Sequence, residues 1–137
     1  MTIQCYINFQ GNCRQAVDFY SRVFDTPAQI MTYGEMPHSP EFPLSDELKN
    51  QVLHASITLD GNELMFSDVP PEMPFCPGNN ITLTLNGEDP DTLTQWFQKL
   101  SENGKVEMPL EATFWSELYG SVVDKFGVGW QINLKRR

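Results

Sequence analysis

Ile3 to Phe9 reads as a strand, and Gly11-Asn12 then leads into a helix in which Ala16, Val17, Tyr20, Val23 and Phe24 recur at helical spacing. Three further strand-like runs follow at Gln29 to Tyr33, Val52 to Leu59 and Glu63 to Ser67. The last two are joined by Asp60-Gly61-Asn62, which is hairpin turn chemistry. The first half of the chain is therefore expected to run β-α-β-β-β.

From Asn80 the pattern restarts. Ile81 to Leu85 is a strand, and Asp89-Pro90 supplies an N-cap followed by the residue suited to a first helical turn. The stripe of the helix that follows is Leu93, Trp96, Phe97 and Leu100, which superposes on Ala16, Phe19, Tyr20 and Val23 at a constant offset of 77 positions. After the helix stop Asn103-Gly104 come strands at Val106 to Met108, Leu118 to Val123 and Val128 to Leu134, the last two joined by Lys125-Phe126-Gly127. The pattern predicts one α+β domain over residues 1–137, made of two βαβββ modules at about 1–77 and 78–137. Each sheet has a helix on one face, and the free faces are expected to form a shared hollow for a ligand. Gly34 to Asn50, rich in Pro and polar residues, is a long connection read as a surface loop, with a lid over the hollow as the functional alternative.

Composition narrows the partners. A chain of 137 residues with 40% hydrophobic residues has enough apolar mass for one core. Its net charge of -9 repels nucleic acid and anionic membranes. No stretch approaches a membrane span and the start lacks signal-peptide features, so the expected location is cytoplasmic. Cys5, Cys13 and Cys76 are odd in number and show no Cys-x-x-Cys spacing, which fits reduced thiols.

The stretch Asn12-Cys13-Arg14-Gln15-Ala16-Val17-Asp18-Phe19-Tyr20, then Phe114-Trp115, Tyr119-Gly120 and Asp124-Lys125-Phe126-Gly127-Val128-Gly129-Trp130, resembles the PhnB-like branch of the vicinal oxygen chelate superfamily, which includes glyoxalases, bleomycin resistance proteins and ring-cleaving dioxygenases. The resemblance implies a pair of half-barrels and, in the superfamily's metal enzymes, His or carboxylate ligands on the first and last strand of each half. Alignment by the first helix puts Cys5, Met65 and Gln131 at three of those positions, and Asn80 begins the strand of the remaining one. The usual metal site is thus expected to be absent, and no cofactor is expected. A rearranged divalent-metal lyase or dioxygenase using His54 and Glu63 is the alternative.

Among residues that carry chemistry, His54 is the acid/base candidate, because an ordinary imidazole titrates near neutrality. A structural histidine is the competing reading, and Glu63 is a candidate partner across the hairpin. Phe114, Trp115, Tyr119 and Trp130, with the amides of Asn80 and Gln131, suit an apolar or planar ligand. Cys5 reads as inert packing more than as a nucleophile, and Asp124-Lys125 as turn chemistry. The expected protein is a small-molecule binder or metal-independent enzyme, with its ligand held among Cys5, His54, Met65, Asn80, Trp115 and Gln131, assembled as a homodimer. A methyltransferase activity on demethylated ubiquinone, also attached to relatives, lacks its Gly-rich turn at Phe9-Gln10-Gly11-Asn12, and nothing forms the phosphate cradle that phosphonate chemistry would need.

Overall fold

The computed structural model describes residues 1–37 and 44–135. The chain divides into two compact units, Met1–Cys76 and Pro77–Arg137.

In the first unit, β1 (Cys5–Phe9) leads into helix α1 (Cys13–Phe24), followed by β2 (Ala28–Thr32), the short helix α2 (Asp46–Lys49), β3 (Val52–Leu59) and β4 (Asn62–Asp68). The four strands form one sheet in the order β1-β4-β3-β2, with β1 parallel to β4 and the other pairs antiparallel. The apolar stripe of α1 buries Ala16, Val17, Phe19, Tyr20, Val23 and Phe24, and Tyr20 stacks on Phe66 at 5.6 Å between ring centroids. Phe66 is paired with Ala55 on β3 and Ile7 on β1, so these residues mark the face covered by the helix.

The second unit repeats the plan: β5 (Thr82–Gly87), α3 (Pro90–Leu100), β6 (Lys105–Glu111), β7 (Tyr119–Val123) and β8 (Gly129–Leu134), in the order β5-β8-β7-β6. As expected, Asp89 caps α3, its carboxylate accepting from Asp91 N–H at 3.2 Å and Thr92 Oγ1 at 2.6 Å. Leu93, Phe97 and Leu100 are the buried residues of α3. A side chain at Gly120 would run into the Phe97 ring, so the α3 face of this sheet holds Gly120 and its ladder partner Ile132. Both units thus have the βαβββ order and mixed sheet topology expected of two α+β modules.

The Gly34–Asn50 connection is not structureless in its described parts. Tyr33–Glu35 forms a 3-10 turn, Ser45 Oγ accepts from Leu48 N–H at the start of α2, and Tyr33 N–H donates to Gln51 O. Residues 38–43, the middle of the lid candidate, lie outside the described residues.

Candidate functional site

Each sheet has a face turned away from its helix, and side chains two apart along a strand share it. On the first sheet this open face includes Tyr6 on β1, Met65 on β4, and Ser56 and His54 on β3, because Tyr6 pairs with Met65, Met65 with Ser56, and His54 with Met31. Cys5 pairs with Leu64, one position out of step with Met65, so it points to the helix side. The alignment by helices misplaces this strand by one residue. The cause is a connection of unequal length: Gln10, Gly11 and Asn12 join β1 to α1, whereas only Glu88 and Asp89 join β5 to α3. Gly11 absorbs the extra residue at φ +94, a conformation that costs a glycine little.

His54 has a partner that the sequence spacing did not single out. Its Nδ1 lies 3.1 Å from the Tyr6 hydroxyl, with the ring centroids 5.7 Å apart. Glu63 does not take that place. It pairs with Thr58, four positions along β3 from His54 and so about 13 Å away, and Gln4 Nε2 donates to its Oε2 at 3.3 Å. Among the described residues, no three His, Cys, Asp or Glu side chains cluster as metal ligands would.

Cys5 is further weakened as a nucleophile because burial pushes its thiol pKa up. Cys13, fully buried, is pushed up to about 12 by burial and then by the charge of Asp68. Asp68 is a structural anchor that residue spacing does not reveal. Its Oδ1 accepts from the N–H groups of Gly11 (2.8 Å) and Cys13 (3.0 Å), and its Oδ2 from that of Val52 (3.0 Å). A lone carboxylate at the last position of a strand gives no period signal that would reveal such a role.

On the second sheet, the open face carries Tyr119, Ser121, Gln131 and Asn133, together with Thr82 and Thr84. Tyr119 Oη donates to Gln131 Oε1 at 2.8 Å, and Gln131 Nε2 donates to Thr82 Oγ1 at 2.7 Å. Asn80 stands before β5 on an exposed bend; Thr84 is the ladder partner of Gln131, and Thr82 accepts its hydrogen bond. Trp130 also departs from the expected lining. It is paired with Val122 on the α3 face, is 1% exposed, and donates its Nε1–H to Asp124 Oδ2 at 2.9 Å. Asp124 Oδ1 accepts from Phe126 and Val128 N–H as well, which bears out turn chemistry at Asp124-Lys125.

The remaining aromatics do come together. Phe114 meets Trp115 edge-on at 4.7 Å, and Trp115 meets Tyr119 at 5.3 Å, with interplanar angles of 83° and 67°. Phe114 is 96% and Trp115 54% exposed. Both line an open cleft of about 720 Å³ with Thr113, Ser116, Glu117 and Leu134. The result is a ledge of rings joined through Tyr119 to a phenol–amide–hydroxyl relay.

The 3-demethylubiquinone-9 3-methyltransferase family model matches residues 1–133 of the chain. Protein YjdN of Escherichia coli is 32% identical, over 100% of this chain and 97% of its own length. The PhnB protein of Bacillus cereus superposes with a TM-score of 0.76 at 28% identity, covering 98% of this chain and 100% of that one. A glyoxalase/bleomycin resistance protein/dioxygenase family enzyme of Burkholderia phytofirmans shares the fold alone, with a TM-score of 0.62 at 13% identity over 94% of this chain and 95% of that one. The repeated βαβββ units and the match along nearly the whole chain lead to one assignment: this chain belongs to the PhnB-like, 3-demethylubiquinone-9 3-methyltransferase family.

Proposed function

We propose that the chain binds a small apolar or planar molecule, as a binding protein or a metal-independent enzyme, and that the Phe114, Trp115 and Tyr119 ledge takes the ligand's ring. The observation that carries this reading is the exposure of two large rings on a cleft, locked edge-to-face and tied through Tyr119 to Gln131. Exposed aromatic clusters of this kind are costly in water unless something covers them. Neutral amides and hydroxyls orient a ligand without demanding that it be charged.

Two observations disfavour carrying the family's methyltransferase description, or phosphonate chemistry, over to this chain. The turn after β1 has a single glycine, and the N–H groups of Gly11 and Cys13 at the start of α1 are already taken by the Asp68 carboxylate. At the start of α3, the Asp89 carboxylate stands where an anionic group would go. We include an isologous homodimer in the proposal. Light scattering that finds one 15.7 kDa species across micromolar concentrations would remove it.

The ledge is tested by titrating a neutral fluorescent naphthylamine into full-length protein and into Trp115→Ala. Affinity should fall by about 1–3 kcal/mol in the variant, the scale of one large buried aromatic contact, with circular dichroism unchanged. Equal affinity in a folded variant would refute the ledge.

A further inference from the structure

The open face of the first sheet holds a second arrangement, built from residues that the ledge does not use. The Tyr6 hydroxyl and His54 Nδ1 stand 3.1 Å apart, and Tyr6 is 46% exposed. The hydrogen bond occupies one ring nitrogen and so sets the tautomer seen at the other. If Nδ1 carries the hydrogen it donates to Tyr6 Oη, and Nε2 keeps a free lone pair; if Tyr6 donates, Nε2 carries the hydrogen and is itself a donor. The pair therefore has a base form and an acid form without any change in net charge.

The surroundings narrow what such a pair would serve. From β1 the titratable group is Tyr6; on β2, Met31 faces His54 across the ladder; on β3 the next residue of that face is Ser56; and on β4 Met65 stands beside Tyr6. The carboxylate of this face, Glu63, is about 13 Å along the strand. Among the described residues this face carries no Lys or Arg, so a ligand arrives neutral and the imidazolium of His54 is the cation that its oxyanion would meet. The thioethers of Met31, across the ladder from His54, and Met65, across from Tyr6, favour contact with an aromatic ring.

We infer that Tyr6 and His54 form a proton-transfer site for a neutral, planar ligand bearing a weakly acidic hydroxyl, with His54 as the catalytic residue and Tyr6 as the residue that positions it. In the transfer, the ligand's O–H bond breaks and an Nε2–H bond forms. The electron pair stays on the ligand oxygen, leaving an oxyanion against an imidazolium whose Nδ1–H donates to Tyr6 Oη. The return transfer restores the neutral ligand, so no oxidant or metal enters the balance. This goes beyond the binding proposal and stands on different residues.

The probe is para-nitrophenol, whose ionised form is coloured, titrated with pH in the presence of excess full-length protein. Wild-type protein should lower the midpoint of its ionisation by about one pH unit. Naphthylamine titrated in parallel into the same wild-type protein reads the ledge, so an unshifted nitrophenol midpoint with naphthylamine binding intact is failure here and not of the ledge. His54→Gln should abolish it with circular dichroism retained, and Tyr6→Phe should reduce it and move the ring-nitrogen NMR signals of His54 toward the other tautomer. An unshifted midpoint with wild-type protein, or a full shift with folded His54→Gln, overturns the inference. Should His54→Gln fail to fold, the nitrogen spectrum of wild-type His54 decides: imidazolium signals on probe addition support the site, and unmoved signals overturn it.

Discussion

The carboxylate of Asp68 is 1% exposed and holds three backbone N–H groups, tying the end of β4 to the start of α1 and the start of β3. Asp68→Asn keeps the volume but turns one acceptor into a donor facing an N–H group. It should cost about 2–4 kcal/mol in urea unfolding, the scale of a buried charge-assisted bond left unsatisfied; a loss below the usual half a kilocalorie of a surface change would contradict the role. Cys13, whose N–H is one of those three, gives a pH signature. Its thiol pKa rises from an ordinary 9.0 to about 12, through burial first and the Asp68 charge second. The folded state then keeps the proton that the unfolded chain loses, so the contribution is complete below pH 9 and disappears as pH climbs toward 12. Under reducing conditions Cys13→Ala should flatten the alkaline loss of stability, and a thiol reagent should modify exposed Cys76 well before Cys13. At this scale the sequence was least informative. Tyr6, Thr82 and Asp68 gave no signal in residue type or spacing, because their roles arise from partners 48 to 57 positions away or from one step of strand register.

At the scale of elements the reading was far more successful, and the reason is periodicity. The helix stripes Ala16, Phe19, Tyr20, Val23 and Leu93, Trp96, Phe97, Leu100 mark both helices, and Gly61 and Gly127 mark equivalent hairpin turns, each with positive φ. The β1 register escaped because helices and hairpins repeat faithfully while the strand-to-helix connection does not. Gly11 is the adjustment, and Gly11→Ala tests it. A side chain would find space, since the nearest atom is Gln51 Nε2 at 3.9 Å, but φ +94 would be strained. Thermal or urea unfolding should show a loss of about 1–2 kcal/mol; an unchanged or raised stability would mean that the turn relaxes to another conformation. Aromatic assignment followed the same divide. Phe114, Trp115 and Tyr119 cluster as composition suggested, while Trp130 falls on the α3 face because it alternates with Gln131 along β8.

For the whole molecule, the open faces of the two sheets carry mostly neutral side chains, with Glu63 on the first and Lys105 and Glu111 on the second, in a chain of net charge -9. Phenol, amide, hydroxyl and thioether groups are poor ligands for a hard divalent ion, and His54 and Glu63 are held apart by four residues of strand. Among the described residues no helix is long and apolar enough to cross a membrane. Family membership was legible from the Asn12 to Tyr20 and Phe114 to Trp130 segments, whereas the ligand was not, since the fold carries many chemistries on the same backbone. The most direct measurement is calorimetric titration of the neutral naphthylamine into full-length protein, once with a strong chelator and once with added zinc, manganese or iron. Affinity should be the same in every buffer, with thermal stability nearly unchanged by metal. Binding that vanishes with chelator and returns with one metal, accompanied by the roughly 2.7 kcal/mol of stabilisation expected at 100 times the dissociation constant, would contradict metal-independent binding.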